Sequence, residues 1–325
     1  MVTIIGAGPI GLATGIEMKK RDIPFRIIER GCIVNAIYNY PVNMTFFSTS
    51  ERLEIGGVPF ISHGHKPTRR EALEYYRRVA IDYELPLNLF EEVKIVEGED
   101  GNFTIVTDKQ KYESTKIVLA TGFYGIPRMM NVPGEERDKV SHYYDDPHPY
   151  ALQNVLVVGA ANSAVDAALE CYRAKANVTM AVRSGEINKR VKYWVKPDIE
   201  NRIEEGSIKA YFNTEVKEIR ERDVVLDTQE GEKVIPNDFV LALTGYVPNF
   251  KLMQRMGIQL KDDKTKMPVY DDDTLETNRN GLYVAGVVCG GMDTNSLFIE
   301  NTRVHACQIV DDIEKKRTPK NATIK

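Results

Sequence analysis

The sequence lacks the features that mark membrane, exported and nucleic-acid-binding proteins. No apolar run reaches the ~18 residues that a membrane-spanning helix needs, and a first strand beginning at Val2 leaves no room for a signal peptide. The net charge of −4 gives no indication of nucleic-acid binding, and the only basic run, residues 315–320, lies in the C-terminal tail. We therefore expect a cytoplasmic protein with neither membrane nor nucleic-acid partners.

Cysteine is scarce and its spacing carries no pattern. The four cysteines, Cys32, Cys171, Cys289 and Cys307, form no CxxC pair and no metal-ligand spacing. A reducing compartment fits this usage. We expect no bound metal, and a redox dithiol of the CxxC type is excluded.

The N-terminal 30 residues carry a dinucleotide-binding pattern. An apolar strand at residues 3–5 leads into the G-x-G-x-x-G loop formed by Gly6, Gly8 and Gly11, and a helix to about residue 21 and a second strand at residues 25–29 follow. Gly6 permits the tight turn, Gly8 lets the backbone approach a pyrophosphate, and Gly11 lets helix and strand pack closely. Glu29 ends the second strand, where an acid binds a ribose hydroxyl.

A second loop of this kind begins at Gly159, after the apolar strand that starts at residue 154. Ala161 replaces the middle glycine, so its Cβ crowds a pyrophosphate. The next strand ends at Arg183 and not at an acid, which suits a 2′-phosphate and favours NADPH over NADH. Two such loops in 325 residues indicate a flavin and a nicotinamide, and hence electron transfer.

Between and after the two loops, the pattern predicts the remaining elements of two domains. We expect a helix at residues 69–83, a β-meander at residues 93–112, an apolar strand at residues 117–122 that ends in Ala-Thr-Gly, and a closing helix from about residue 296 to 313. The fold class is α/β, with two Rossmann-like domains, the nicotinamide domain being inserted in the flavin domain. The limits are residues 1–127 and 246–325 for FAD and residues 128–245 for NADPH.

The chain resembles the low-molecular-weight thioredoxin-reductase-type flavoproteins over its full length, and within them the bacillithiol disulfide reductase-like branch. The matching stretches are residues 37–41, 45–48, 53–60, 162–168 and 298–301 with His305. The resemblance implies FAD, NADPH, a homodimer, and hydride flow from NADPH to flavin to a small disulfide.

The resemblance also assigns site residues. Those for FAD are Gly6, Gly8, Gly11, Glu29, Asn39, Thr45, Val93, Thr121, Gly122 and Gly286. Those for NADPH are Gly159, Asn162, Ser163, Arg183 and Lys192.

Three positions depart from the relatives' pattern. Ile10 stands in the first glycine loop where members of the branch commonly carry cysteine, the CxxC of thioredoxin reductases is missing, and Gly286-Val287 replaces their Gly-Asp. Cys289 is the best-placed substitute thiol, and His305 is a candidate proton donor. Cys171 and Cys307 lie mid-helix, where a cysteine is usually a buried small hydrophobe.

The electron acceptor stays open at this point. The leading hypothesis is a low-molecular-weight disulfide. A small redox carrier protein, as in ferredoxin- or flavodoxin-NADP reductases, and oxygen, as in flavin monooxygenases, are the alternatives, and a redox sensor without catalysis is the last.

Overall fold

The computed structural model describes residues 1–293 and 296–317, which form two compact units. The first comprises Met1–Tyr38, Met44–Ile126 and the chain from Tyr246 onward, and the second comprises Asn39–Asn43 and Pro127–Gly245. Segment Asn39–Asn43, which the prediction included in the FAD domain, therefore packs with the second unit. The assignment of one cofactor to each unit stays a prediction.

The first unit is built on a five-stranded parallel sheet in the order β16-β7-β1-β2-β3. The strands are β1 Val2–Ile5, β2 Phe25–Ile28, β3 Leu87–Asn88, β7 Lys116–Leu119 and β16 Leu282–Val284. Every residue of β1 is buried, as expected for a parallel strand covered on both faces. The predicted β-meander is present as an antiparallel sheet of β4 Val93–Glu99, β5 Asn102–Thr107 and β6 Lys111–Ser114.

The first unit has six α-helices in the described residues. They are α1 Pro9–Lys20, α2 Asn35–Tyr38, α3 Arg69–Asp82, α6 Phe250–Arg255, α7 Ile299–Thr302 and α8 His305–Arg317. The helix α3 begins with a capping box, in which Thr68 and Glu71 satisfy each other's backbone N–H groups.

The prediction of one closing helix over residues 296–313 is wrong, because α7 and α8 are separate. The break falls at Arg303, whose Nη1 donates to the carbonyls of Glu51 and Glu54 at 3.0 and 3.1 Å. Thr294 and Asn295, directly before the predicted helix, lie outside the described residues.

The second unit repeats the first architecture. Its parallel sheet has the order β11-β10-β9-β15-β8, with β8 Val140–Ser141, β9 Asn154–Val158, β10 Asn177–Val182, β11 Lys209–Phe212 and β15 Phe239–Ala242. The helix α4 Asn162–Arg173 follows β9, and α5 is Lys196–Glu204. An antiparallel sheet, β12 Glu215–Ile219, β13 Asp223–Thr228 and β14 Gly231–Pro236, is additional to the predicted elements.

Over residues 1–293 and 296–317, no helix combines the length and the apolar character that crossing a membrane requires.

Candidate cofactor sites and the residues around them

The first glycine loop needs glycine at two positions for steric reasons. Gly6 has φ +111°, and a Cβ there would lie 2.5 Å from the Ala120 carbonyl oxygen. A Cβ on Gly11 would lie 1.9 Å from the Gly6 carbonyl oxygen. Gly8 differs, because nothing lies within 4 Å of its added Cβ. The space beside Gly8, at the N-terminus of α1, is therefore open for a ligand.

Glu29 is held by the loop that it faces. Its Oε2 accepts the N–H of Ala7 and its Oε1 accepts the N–H of Gly31, both at 2.9 Å. A carboxylate oxygen has capacity for a further hydrogen bond, so each can also accept from a ribose hydroxyl. Glu29 is thus oriented before any ligand binds.

A cavity opens at the carboxyl ends of β1, β2 and β7. Among its lining residues are Gly6, Glu29, Val93, Thr121 and Gly122, five of the predicted FAD residues. The hydroxyl of Thr121 is buried and has no hydrogen-bond partner among the described residues. A buried donor without a partner, in the same cavity as an oriented carboxylate, fits the binding of a dinucleotide.

Arg30 is a cavity residue that the sequence analysis missed. Its guanidinium lies against Gly125, so that a Cβ added at position 125 would be 1.8 Å from Arg30 Nη2. Its position directly after Glu29, at the end of β2, is the signal that could have found it. A side chain at position 125 would therefore displace the Arg30 guanidinium from its present position.

Three further predicted FAD residues lie elsewhere. Asn39 is exposed and belongs to the segment that packs with the second unit. Thr45 is exposed and forms an antiparallel bridge with Thr68. Gly286 follows β16 with φ +81°, and a Cβ there would lie 3.1 Å from Cγ1 of Ile10.

The Gly159 loop of the second unit has the same steric character. Gly159 has φ +129°, and its Cβ would lie 2.6 Å from the Leu243 carbonyl oxygen. The helix α4 begins at Asn162, with Ala161 as an N-cap that offers no side-chain acceptor. The first N–H groups of α4 therefore have no side-chain cap, which suits an anionic pyrophosphate.

Of the predicted NADPH residues, two are exposed and two have side chains that are bonded to other residues of the protein. Ser163 and Arg183 are exposed, and Arg183 forms no side-chain hydrogen bond or ion pair in the part of the chain that the structure describes. The Lys192 ammonium instead pairs with Asp166 at 2.8 Å. Asn162 accepts the Lys192 N–H through Oδ1 at 2.9 Å and donates to the Arg190 carbonyl at 3.4 Å.

Cys289 and His305 are close together, but their surroundings argue against the predicted catalytic roles. Cys289 is fully buried, and burial raises the pKa of its thiol to about 12, so it carries no reactive thiolate. Burial also lowers the pKa of His305 to about 4, so the imidazole is neutral near pH 7 and has no proton to donate as an acid.

The other three cysteines are also free thiols. Cys171 is buried as expected, and burial raises its pKa to about 12. Cys307 is exposed, so its expected role as a buried hydrophobe is wrong. Cys32 is partly exposed and lies 3.6 Å from the Asn35 Oδ1, with its pKa raised by burial.

Comparison with known proteins decides the family. The family model described as pyridine nucleotide-disulphide oxidoreductase matches residues 3–286. The chain belongs to this family. It is 42% identical to bacilliredoxin reductase Bdr of Bacillus subtilis, over 96% of this chain and 97% of that protein.

Two further relatives complete the comparison. The solved structure described as bacillithiol disulfide reductase Bdr (YpdA) from Bacillus cereus has a TM-score of 0.95 and 42% identity, covering 98% of this chain and 99% of the other. A ferredoxin–NADP reductase of Ignicoccus hospitalis is 26% identical over 87% of this chain and 88% of its own length.

These findings confirm the predicted family and class. The chain is a flavoprotein oxidoreductase of the thioredoxin-reductase-like fold, and FAD and NADPH are its cofactors. The bacillithiol disulfide reductase-like resemblance is likewise confirmed. The individual cofactor contacts stay predictions.

Proposed function

We propose that the protein is an NADPH-dependent FAD oxidoreductase that reduces a low-molecular-weight disulfide of the bacillithiol disulfide type. The observation that carries this proposal is the similarity to Bdr proteins over nearly the whole chain, at 42% identity and a TM-score of 0.95. The reaction converts NADPH, one proton and one disulfide into NADP⁺ and two thiols. Bound FAD supplies the two-electron relay between nicotinamide and acceptor.

The protein's own residues bind and orient the cofactors. In the first unit, the open side of Gly8 and the N–H groups of α1 would hold the pyrophosphate, Glu29 would accept from the ribose, and the Thr121 hydroxyl would donate to the dinucleotide. In the second unit, the N-terminus of α4 would hold the NADPH pyrophosphate, and Arg183 would pair with the 2′-phosphate.

The acceptor receives electrons without a protein thiol. Ile10 is 7% exposed and packs beside Gly286, so the first glycine loop offers an aliphatic side chain where the resemblance implies a thiol. Cys289 is buried and protonated. We therefore infer direct reduction of the acceptor, with the protons taken from solvent.

A small electron-carrier protein is the second candidate acceptor. The missing thiol at position 10 favours it, because ferredoxin- and flavodoxin-NADP reductases need none. Relatives described as ferredoxin–NADP reductases match at 25–28% identity. A flavin monooxygenase reaction is the weaker alternative. We also propose a homodimer in the cytoplasm.

The test is anaerobic reduction of the holoprotein with NADPH, followed by rapid mixing with bacillithiol disulfide, oxidised bacilliredoxin, ferredoxin, flavodoxin or oxygen. Fast reoxidation by the small disulfide supports the proposal. Reoxidation by ferredoxin or flavodoxin alone would support the carrier alternative, and a stable oxygen adduct would support a monooxygenase. NADH in place of NADPH is the matched control for the reductant.

A further inference from the structure

The segment Asn188–Lys192 is fixed to the Gly159 loop by contacts that run the length of the segment. The Asn188 N–H donates to the Ala160 carbonyl at 3.1 Å. The Asn162 side chain accepts the N–H of Lys192 at 2.9 Å and donates to the carbonyl of Arg190 at 3.4 Å. The segment is therefore held at both ends and in the middle.

An ion pair closes this arrangement. Lys192 Nζ lies 2.8 Å from Asp166 Oδ2, one turn into α4, and the two side chains are 13% and 25% exposed. Such partial burial makes the pair stronger than the exposed pairs of the same unit. Lys189, three residues earlier, illustrates the contrast: it is 79% exposed and pairs with Glu186 at 3.3 Å.

We infer that Lys192 is a positioning residue. Its ion pair with Asp166, called the clasp below, holds the Asn188–Lys192 segment against the Gly159 loop. Lys192 does not bind the 2′-phosphate of NADPH. This inference rests on the proposed function and replaces the sequence-based role of Lys192. Arg183 is then the residue that binds the 2′-phosphate, because it is exposed and forms no side-chain hydrogen bond or ion pair in the described residues. Loss of the clasp consequently weakens NADPH and NADH alike.

The variant Asp166→Asn distinguishes a positioning role of Lys192 from a phosphate-binding role, because the two roles predict opposite changes in the dissociation constant of NADPH. If Lys192 positions the loop, this change loosens the clasp, and the dissociation constants of NADPH and NADH rise together, by about tenfold. If Lys192 binds the 2′-phosphate, the same change frees its ammonium, so NADPH binds more tightly while NADH does not change. The titrations are done at high ionic strength, which screens the long-range effect of the altered net charge on nucleotide binding.

Three further variants complete the design. Lys192→Met keeps the aliphatic stem and is expected to weaken both nucleotides equally. Lys189→Met removes an exposed lysine of the neighbouring chain and is expected to change neither constant. Arg183→Gln is expected to weaken NADPH alone, which shows that the assay detects loss of a 2′-phosphate contact. If Lys192→Met does not fold, the direction in which Asp166→Asn changes the dissociation constant of NADPH still distinguishes the two roles.

Trp194 supplies a readout that is independent of nucleotide binding. It is the only tryptophan of the chain, lies two residues after Lys192, and is 40% exposed. With 5-fluorotryptophan in the holoprotein, the single ¹⁹F signal is expected to broaden or shift in Asp166→Asn and Lys192→Met, and to stay unchanged in Lys189→Met.

Two results would overturn the inference: selective tightening of NADPH by Asp166→Asn, or unchanged ¹⁹F signals together with unchanged affinities in both clasp variants. Failure of the proposed function has a different signature. If only the acceptor differs from the proposed disulfide, the wild type still binds NADPH and the inference is tested unchanged. If the wild type binds neither nucleotide, the proposed NADPH dependence fails, while the ¹⁹F comparison still shows whether the clasp exists.

Discussion

The Sγ of Cys289 lies 3.9 Å from Nδ1 of His305, and the same ring nitrogen accepts the backbone N–H of Gly286 at 3.1 Å. A nitrogen that accepts the amide proton is unprotonated, so we assign the proton of the neutral ring to Nε2. The Cys289 thiol is then the donor toward Nδ1. The two residues form a neutral thiol–imidazole pair that supports the turn after β16.

The first prediction is that replacing Cys289 leaves catalysis intact. Cys289→Ala removes a small buried side chain, so the free energy of unfolding falls by about 1 kcal/mol, whereas kcat/KM for the disulfide changes less than about twofold. Denaturant unfolding and steady-state kinetics measure the two quantities. A loss of turnover without a loss of bound FAD would assign the thiol a direct role.

The second prediction concerns the pH dependence contributed by His305. Its folded pKa of about 4 lies below the ordinary value of 6.5, so the unfolded state binds the proton more readily. The stabilising contribution is present above pH 6.5 and is lost as the pH falls toward 4, by about 2 kcal/mol. Urea unfolding at several pH values should show this slope in the wild type and a weaker one in His305→Gln. Equal slopes would mean that His305 titrates normally.

The third prediction uses the contrast between Gly8 and Gly11. Gly11→Ala places a Cβ 1.9 Å from the Gly6 carbonyl oxygen, so we expect destabilisation of about 3 kcal/mol or more. Gly8→Ala meets no protein atom, so stability should change by less than about 1 kcal/mol. Its methyl group points into the space left for the pyrophosphate, so FAD affinity should fall on the order of tenfold.

Thermal unfolding of the apoproteins and FAD titration separate these two effects. Unchanged FAD affinity in Gly8→Ala would show that the dinucleotide does not pass this loop.

The fourth prediction concerns Glu29. In Glu29→Gln, the amide NH₂ must face one of the two N–H donors, so either Ala7 or Gly31 loses its acceptor, at a cost of about 1–3 kcal/mol. FAD binding should weaken in parallel, because the ribose loses an oriented carboxylate. Glu97→Gln, on an exposed position of β4, is the control that changes charge alone. Equal effects of the two variants would refute the role of Glu29.

The sequence was most informative where function depends on local backbone geometry. The loops at Gly6 and Gly159 require positive φ and close backbone approach within a few residues, so their pattern alone predicts strand, turn and helix. The β-meander and the central strands of the two parallel sheets were predicted from the same local periodicity, whereas β3, β8 and β11 were not.

What the sequence did not predict depends on contacts between distant residues. Lys192 meets Asp166 across 26 positions, and no local pattern distinguishes a paired lysine from a phosphate ligand. The complete burial of Cys289 and the break between α7 and α8 likewise arise from packing against other segments. Arg30 lines the cavity because Gly125, far along the chain, leaves room for its guanidinium.

The central claim is that electrons pass from NADPH through the flavin to a small disulfide without a protein thiol. The most direct measurement is single-turnover reoxidation of the NADPH-reduced holoprotein by bacillithiol disulfide, before and after alkylation of its accessible cysteines, in the wild type and in Cys289→Ala. The account predicts equal rates in all four cases and two thiols released per NADPH. Loss of reoxidation on alkylation or in Cys289→Ala, or reoxidation by ferredoxin or flavodoxin alone, would contradict it.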